Sequence, residues 1–315
     1  MTRPSGTSPE HRPHGLIVLD KPPGPSSYDC IRLLRRTCRL PRKWKVGHLG
    51  TLDPFAAGVL VVALGQAVRY AEFALHAKKI YRARLYLGEQ TDTLDPTGRI
   101  IDTAHVPPDW PDRLPEIRPS FIGALNQTPP AFSAKQVDGV RSYKAARKGE
   151  SLALQPARVT IHSLEFGDTG ENWVDFTAEV SGGTYLRSLG RDIALALGTV
   201  GHLLGLERLA VGPFTNEMSI PLDAFEVGGY GVLEHHLKPI DPLIAHLPAC
   251  RIRPEREEKL IHGRPLAAED IDDGFPALHD DTAVLRILDV QGSFRALGRI
   301  EHDPPRIVPY KPWLA

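Results

Sequence analysis

An apolar run with a single acid in front of it constrains the fold of this chain more than any other segment. The run is GVLVVALG at residues 58–65, and it is too apolar to lie on a surface. It ends the longer stretch VGHLGTLDPFAAGVLVVALG (residues 46–65), in which Asp53 is the only carboxylate. Glycine-bearing turns flank Asp53 on both sides. The sequence therefore predicts a lone acid at the mouth of the core.

The length and composition are typical of a globular protein. The 315 residues are 42% hydrophobic and 24% charged, which is enough for one large domain and a small one. The apolar run is far shorter than the roughly 20 residues that span a bilayer, and residues 1–15 contain no apolar core of a signal peptide. We predict a cytoplasmic protein whose residues 1–13 form a disordered leader.

The cysteines and histidines do not indicate a disulfide or metal site. Cys30, Cys38 and Cys250 form neither a CxxC pair nor an even set, which favours a reducing compartment. The 13 histidines show no metal-binding spacing, and the glycine motifs of nucleotide-binding and dinucleotide-binding loops are absent. We therefore expect no metal and no cofactor.

Basic residues are concentrated early in the chain, although the net charge is zero. Residues 1–90 contain 15 Lys and Arg but only 6 Asp and Glu, and much of the excess lies between residues 32 and 45. Such a cluster is typical of a phosphate-binding surface, with Arg35, Arg36 and Lys43 as candidate contacts. A solvated helix face is the alternative.

The periodicity of apolar residues predicts an α+β fold. Strands are predicted at residues 15–21, 79–88, 158–166 and 173–183, and helices after Ser26 or Ser27, over 67–75 and over 186–198. Residues 94–120 are rich in proline and aspartate, which break regular elements, and are interpreted as a connector or an insertion. Residues 127–150 combine basic, aromatic and turn residues, which is typical of a mobile loop and short helix over a polyanion.

The chain changes character near Arg251. Short β runs follow, TAVLRILDV at residues 282–290 and FRALGRI at residues 294–300, with acidic turns between them. They predict either a small β-rich module or a final hairpin of the main domain.

A lone carboxylate can act as a nucleophile or base if it stays ionised in a pocket that excludes water. Burial raises the pKa of an aspartate and an adjacent arginine lowers it, so a useful buried acid needs an arginine partner. Arg187, in SGGTYLRS at residues 181–188, is the candidate partner of Asp53. The alternative is that Asp53 only forms an Asx turn before Pro54.

Five segments together resemble the TruB family of tRNA pseudouridine synthases, and the match runs in order from about Leu16 to Phe214. The C-terminal part resembles the small PUA-like module of that family more loosely. The matching segments are VGHLGTLDPFAAGVLVVALG (46–65), KIYRARLYLG with TDTLDPTG (79–98), QTPPAFSAKQVDGVRSYKAARKGE (127–150), SGGTYLRSLGRDIALALG (181–198) and HLLGLERLAVGPF (202–214).

The resemblance implies the pseudouridine synthase fold, with a mixed, mostly antiparallel central sheet. It implies a catalytic domain at residues 14–245, an RNA-binding insertion around 127–155 and a PUA-like module at residues 250–315. The implied reaction converts uridine 55 in the T loop of tRNA to pseudouridine, by breaking the N1–C1′ bond and rejoining the ring through C5. The implied enzyme is a monomer that needs tRNA but no protein partner.

The same resemblance assigns the site residues. It implies that Asp53 is the catalytic aspartate, that Tyr81 packs on the target base and that Arg187 is the partner of Asp53 in a salt bridge. The further substrate-binding residues are His48, Tyr185, Leu206 and Lys21, and the further RNA-binding residues are Lys135, Arg141 and Lys144.

The chain departs from the family pattern at Leu49, where threonine is frequent, and at Gly183, where lysine is frequent. Neither position replaces a proposed catalytic group, but the second removes a candidate phosphate contact. Two alternative functions remain open: a chaperone that folds tRNA, and a catalytic subunit that depends on a guide RNA, like dyskerin.

Overall fold

The computed structural model describes residues 12–132, 136–137, 140–141, 155–274, 284–303 and 305–313. The helices are α1 (Ser27–Thr37), α2 (Ala71–His76), α3 (Trp110–Ile117), α4 (Leu186–Ala196), α5 (Ala224–His236), α6 (Asp241–Ile244) and α7 (Glu258–Ile261). The strands are β1 (Gly15–Lys21), β2 (Val46–His48), β3 (Ala57–Leu64), β4 (Lys79–Leu87), β5 (Glu89–Thr91), β6 (Ile100–Thr103), β7 (Gly123–Gln127), β8 (Gln136–Val137), β9 (Val140–Arg141), β10 (Ala157–Thr169), β11 (Trp173–Val180), β12 (Gly201–Val211), β13 (Phe214–Thr215), β14 (Ile220–Pro221), β15 (Ala249–Arg251), β16 (Val284–Leu288), β17 (Phe294–His302) and β18 (Pro305–Pro312).

A mixed, mostly antiparallel sheet of ten described strands forms the centre of the molecule. Its main order is β14-β1-β3-β12-β4-β11-β10-β7, while β2 pairs with β3 and β13 with β12. Only the β1–β14 and β3–β12 pairs are parallel. The predicted α+β class is confirmed.

Helix α1 follows directly from its sequence. Ser26 and Asp29 form a capping box, in which the Asp29 N–H donates to the Ser26 hydroxyl and the Ser26 N–H donates to the Asp29 carboxylate. Ile31, Leu34 and Cys38 are buried on one face, as their spacing predicts. The helix therefore lies against the sheet with most of its arginines on the opposite side.

The predicted connector at residues 94–120 is partly wrong, because it contains helix α3. Trp110 and Leu114 of this helix are buried. Pro111 stands in the first turn, where a missing N–H costs nothing, and Pro115 follows one turn later. The prolines that suggested a break are therefore compatible with this short helix.

The C-terminal strands form a second sheet with the order β15-β16-β17-β18. None of its described strands pairs with the central sheet, so the alternative of a hairpin added to the main domain is wrong. Strand β18 escaped prediction because it contains three prolines, and it lies at the sheet edge, where proline is tolerated.

Two apolar cores lie on the two faces of strand β3, and the second of them joins the two sheets. Strand β3 turns Leu60 and Val62 toward the core under α1, and it turns Val59 and Val61 toward a second core that also contains Phe294 of β17. The hydroxyl of Tyr70 donates to the Lys311 carbonyl at 2.9 Å.

Within the described residues, no helix is long and apolar enough to cross a membrane.

Candidate active site

Asp53 lies in the loop between β2 and β3, and its carboxylate faces Arg187. The distance between Arg187 Nε and Asp53 Oδ2 is 2.9 Å. The local turn uses only the backbone of Asp53, whose carbonyl accepts from the Ala56 N–H at 3.1 Å. The carboxylate is thus paired with the arginine rather than with its own turn, which argues against the Asx-turn alternative. The side chain of Asp53 keeps 35% of its surface exposed, so a ligand can reach it.

Arg187 is fixed by four partners at the start of helix α4. Besides Asp53, it donates to the carbonyls of Thr93 at 2.7 Å and Phe132 at 2.9 Å, and its Nη1 lies 3.5 Å from Asp95 Oδ2. Its side chain is only 5% exposed. A planar guanidinium with several donors can hold all four acceptors at once, whereas an ammonium group cannot.

Asp95 is a second buried acid, and the sequence reasoning missed its role. Its Oδ1 accepts from the Thr93 hydroxyl at 2.7 Å and from the Thr97 N–H at 2.9 Å. The available signal was the TDTLDPTG segment, in which threonines surround an acid in a turn. Asp95 and Asp53 therefore share one arginine.

The largest effects on the pKa of Asp53 oppose one another. Burial raises the pKa, the adjacent Arg187 guanidinium lowers it, and the nearby Asp95 carboxylate raises it again, with a net result above the usual value for aspartate. A carboxylate with a raised pKa is a stronger base once it is ionised. The pair of acids around one arginine therefore makes Asp53 more basic without removing its charge partner.

Apolar and aromatic side chains surround the acid. Leu206 of β12 lies opposite Ala83 of β4, two residues from Tyr81. Tyr81 and Leu206 are at most 9% exposed and belong to the same core as Leu52, the residue before Asp53. The candidate site therefore places the partly exposed acid Asp53 next to a core of apolar and aromatic side chains.

Lys21 does not lie where a substrate could touch it, so its assignment to substrate binding is corrected. Its side chain has no exposed surface, and its ammonium group donates to the carbonyls of Pro22, Pro54 and Ala56. Two of these carbonyls belong to Pro54 and Ala56, one and three residues after Asp53. Lys21 instead positions the C-terminal side of the acid's loop.

Arg208 positions the N-terminal side of the loop that carries Asp53, and this role was not predicted from the sequence. It is 1% exposed, and its guanidinium donates to the carbonyls of Val59 at 2.8 Å, Gly50 at 3.1 Å and Thr51 at 3.4 Å. No carboxylate among the described residues pairs with it. Two buried cations, Lys21 and Arg208, therefore hold the loop of Asp53 through its carbonyl groups.

His48 and Tyr185 flank this arrangement. Burial and the Arg208 charge both lower the pKa of His48, which favours its neutral form, and its buried Nδ1 has no hydrogen-bond partner among the described residues. Tyr185 precedes α4 and is half-buried, with its backbone bound to the Gln127 side chain. Both residues keep hydrogen-bonding capacity for a ligand.

Comparison with known proteins identifies the family. A tRNA pseudouridine synthase B from Novosphingobium aromaticivorans is 42% identical over 268 residues, which cover 82% of this chain and 88% of that protein. The chain belongs to the TruB family. It is therefore a pseudouridine synthase, and residues 35–186 match the family model for the TruB pseudouridylate synthase N-terminal domain.

Other relatives agree with this assignment. The tRNA pseudouridine synthase B of Rhodospirillum rubrum is 40% identical over 256 residues, covering 81% of this chain and 82% of that protein. Among solved structures, a chain of an H/ACA RNP bound to a substrate RNA containing 2′-deoxyuridine has a TM-score of 0.72 at 26% identity, and the match covers 100% of this chain and 92% of that chain. The TruB fold predicted from the sequence is confirmed.

The predicted RNA contacts divide into three groups. Arg35 donates to the Trp44 carbonyl at 2.6 Å, and Arg36 lies 3.6 Å from the Glu226 carboxylate. These two arginines have partners inside the TruB chain, and we withdraw Arg35 as a phosphate contact because its guanidinium positions the loop before β2. Lys43 is exposed and remains a prediction. Lys135 and Lys144 lie outside the described residues, as does the side chain of Arg141.

Arg208 provides a test of how the TruB loop is positioned. We expect Arg208→Met to lower kcat about 100-fold with little change in KM, because a displacement of about 1 Å at a reacting group has this effect. Loss of the cation should also raise the pKa of His48, measured by NMR titration. Arg208→Lys should keep the pKa of His48 low but restore only part of kcat. A variant that changes thermal stability alone would contradict the positioning role.

Proposed function

We propose that this chain converts uridine 55 in the T loop of tRNA to pseudouridine, with Asp53 as the catalytic aspartate. The observation that carries the proposal is the 2.9 Å pair of Asp53 and Arg187 beside an apolar wall. The names of the curated relatives support tRNA as the substrate. The T-loop position rests on the resemblance of the site segments to the family.

The target atom is hidden inside a folded RNA loop, so the uridine must turn out of the stack before it can react. Unstacking costs a few kcal/mol, which contacts in the pocket must offset. Tyr81 offers an aromatic face to the base, Leu206 an apolar wall, and His48 and Tyr185 hydrogen bonds to the opened loop. These four residues are the proposed substrate-binding set.

In the proposed reaction, Asp53 acts first as a general base and then as a general acid. Asp53 removes the C2′ proton of the ribose while the N1–C1′ bond breaks, so that uracil leaves with the bonding electrons and a glycal remains. The detached uracil anion rotates, Asp53 returns its proton to C2′ of the glycal as C5 bonds to C1′, and the ring then loses the C5 proton to solvent and takes up a proton at N1. The raised pKa of Asp53 supports this role. The absence of a deuterium isotope effect at C2′ would contradict the elimination route.

We further propose that residues 14–245 form the catalytic domain and residues 250–315 a PUA-like module. The start of the second sheet at Ala249, after helix α6 ends at Ile244, supports this division. The insertion around residues 127–155 is the proposed second RNA contact. The proposed enzyme is a cytoplasmic monomer.

A guide-dependent activity is the second candidate, because solved H/ACA RNP chains share the fold. One experiment separates the two functions. An unmodified tRNA transcript carrying tritium at uridine C5 is incubated with the purified chain alone, and the product is mapped. Tritium release at a single T-loop uridine is the expected result. If tritium is released only after a guide RNA is added, the proposal of a standalone enzyme is wrong.

A further inference from the structure

A basic cavity lies apart from the Asp53 site, at the far end of the β2–β3 pair. It has a volume of about 300 Å³ and is formed by three separate segments: residues 12–14, residues 43–45 and residues 65–69. We call it the Trp44 pocket. The side chains used in the argument are Arg12, His14, Lys43, Trp44, Lys45 and Arg69.

Four of these side chains are cationic and solvent-exposed: Arg12, Lys43, Lys45 and Arg69. The lining contains no acid, and within the described chain none of the four forms an ion pair. The nearby arginines of α1 differ, since Arg32 and Arg36 lie within 3.6 Å of the carboxylates of Asp29 and Glu226. Uncompensated positive charges around a concave surface attract an anion.

The Trp44 ring that lines the pocket favours a phosphate group over a nucleobase as the ligand. Trp44 is 6% exposed, and its ring is covered by the Arg12 guanidinium and the His14 ring, each 5.4 Å from the ring centroid. No open face is left on which a base could stack. A buried ring also lowers the local dielectric constant, which strengthens the attraction between the cations and an anion.

The backbone around the pocket is held in place. Nδ1 of His14 accepts from the Gln66 N–H at 2.8 Å, and the Arg35 guanidinium donates to the Trp44 carbonyl at 2.6 Å. The Gly65 N–H donates to the Lys45 carbonyl at 2.8 Å. The cations therefore project from a fixed frame, so an anion does not have to order the backbone when it binds.

The pocket lies close to a residue proposed to hold the RNA. Lys45 precedes His48 by three residues of extended chain, which corresponds to about 10 Å between their Cα atoms. An RNA whose T loop contacts His48 brings its sugar-phosphate backbone to this part of the protein.

We propose that the Trp44 pocket binds a backbone phosphodiester of the RNA substrate, at a contact separate from the pocket for the target uridine. This inference rests on the proposed function. It explains how a chain with Gly183 in place of a basic residue can still hold a phosphate of the RNA.

Equilibrium binding of an unmodified tRNA transcript tests the proposal. The double substitution Lys43→Ala/Arg69→Ala is made in the Asp53→Asn background, so that the RNA is not converted. Each lost phosphate contact should make the slope of log K against log salt shallower by about 0.7–0.9. Because the pocket binds one phosphodiester, we expect a total change of about 0.7–0.9 and at least a tenfold loss of affinity at low salt.

The control is Arg253→Ala/Arg264→Ala, which removes two exposed arginines that lie outside both the pocket and the basic cluster at residues 32–45. It should change the affinity less than twofold. An unchanged slope in the pocket variant, or an equal change in the control, would overturn the proposal. All four positions are exposed, and melting temperatures of the variants establish that they fold.

A second experiment tests whether the ligand of the Trp44 pocket is a phosphate of the RNA or free phosphate. Single methylphosphonate substitutions along the T arm remove one phosphate charge at a time. At one position, the substitution should weaken binding to the parent protein but not to the pocket variant. If no position behaves in this way and the pocket variant loses only calorimetric binding of inorganic phosphate, the ligand is a free anion and the inference is wrong. Tritium release by the unmodified protein reports on the proposed function independently, so the two failures are distinguishable.

Discussion

Replacing Asp53 with asparagine is expected to lower tritium release from C5-labelled tRNA at least about a thousandfold. Asparagine has nearly the same shape, and its carbonyl oxygen can still accept from Arg187, so the loop should keep its position. A carboxamide cannot take up a proton from the ribose. The measurement is single-turnover release, with tRNA affinity determined in parallel and expected to stay within about twofold.

Asp20→Asn is the matched control, because it makes the same chemical change at an exposed carboxylate of β1. It should leave the rate unchanged. If Asp53→Asn kept more than a tenth of the activity, Asp53 would not be the base. If the unmodified protein bound tRNA tightly but released no tritium, the chaperone function would be favoured.

The second large effect is expected for Arg187→Met, which leaves Asp53 and Asp95 without their shared cation. Removing one partner of a buried charge group costs about 3–5 kcal/mol of unfolding free energy. The loss should be measured by urea unfolding at neutral pH. The exposed pair of Arg251 and Asp273 provides the control, and Arg251→Met should cost less than about 1 kcal/mol.

The pH dependence of the unfolding free energy of Arg187→Met shows whether the loss of stability comes from the missing charge or from lost packing. Without Arg187, the pKa of Asp53 in the folded protein rises further above its unfolded value. A carboxyl group with a raised folded pKa destabilises the protein when it is ionised, and this effect disappears as the pH falls below the folded pKa. The stability difference between Arg187→Met and the unmodified protein should therefore shrink as the pH is lowered. A difference that stays constant with pH would show that lost packing is responsible.

The sequence offered Arg187 as the partner of Asp53 because a buried acid needs a cation, but the Asx turn stayed an alternative until the resemblance to the TruB family assigned the pair. The strand at residues 15–21 and the helix from residue 186 were also predictable, since each has strong periodicity and a clear stop or start. Asp95 was not, because an acid among threonines in a turn is typical of a local Asx turn, and nothing in that segment indicates that it reaches Arg187. Burial was equally hidden for Lys21 and Arg208, since a long cationic side chain can reach solvent or fold back onto carbonyl groups.

Strand β3, which follows Asp53, belongs to two cores at once. One face of β3 supports the wall near Asp53, and the other packs with Phe294 and Leu297 of the C-terminal sheet. The two sheets should therefore melt in a single cooperative transition rather than one after the other. A chain cut after residue 245 would leave one face of the central strand in water. We therefore expect the part of the chain that contains Asp53 to depend on the C-terminal sheet to fold, whatever that sheet contributes to binding RNA.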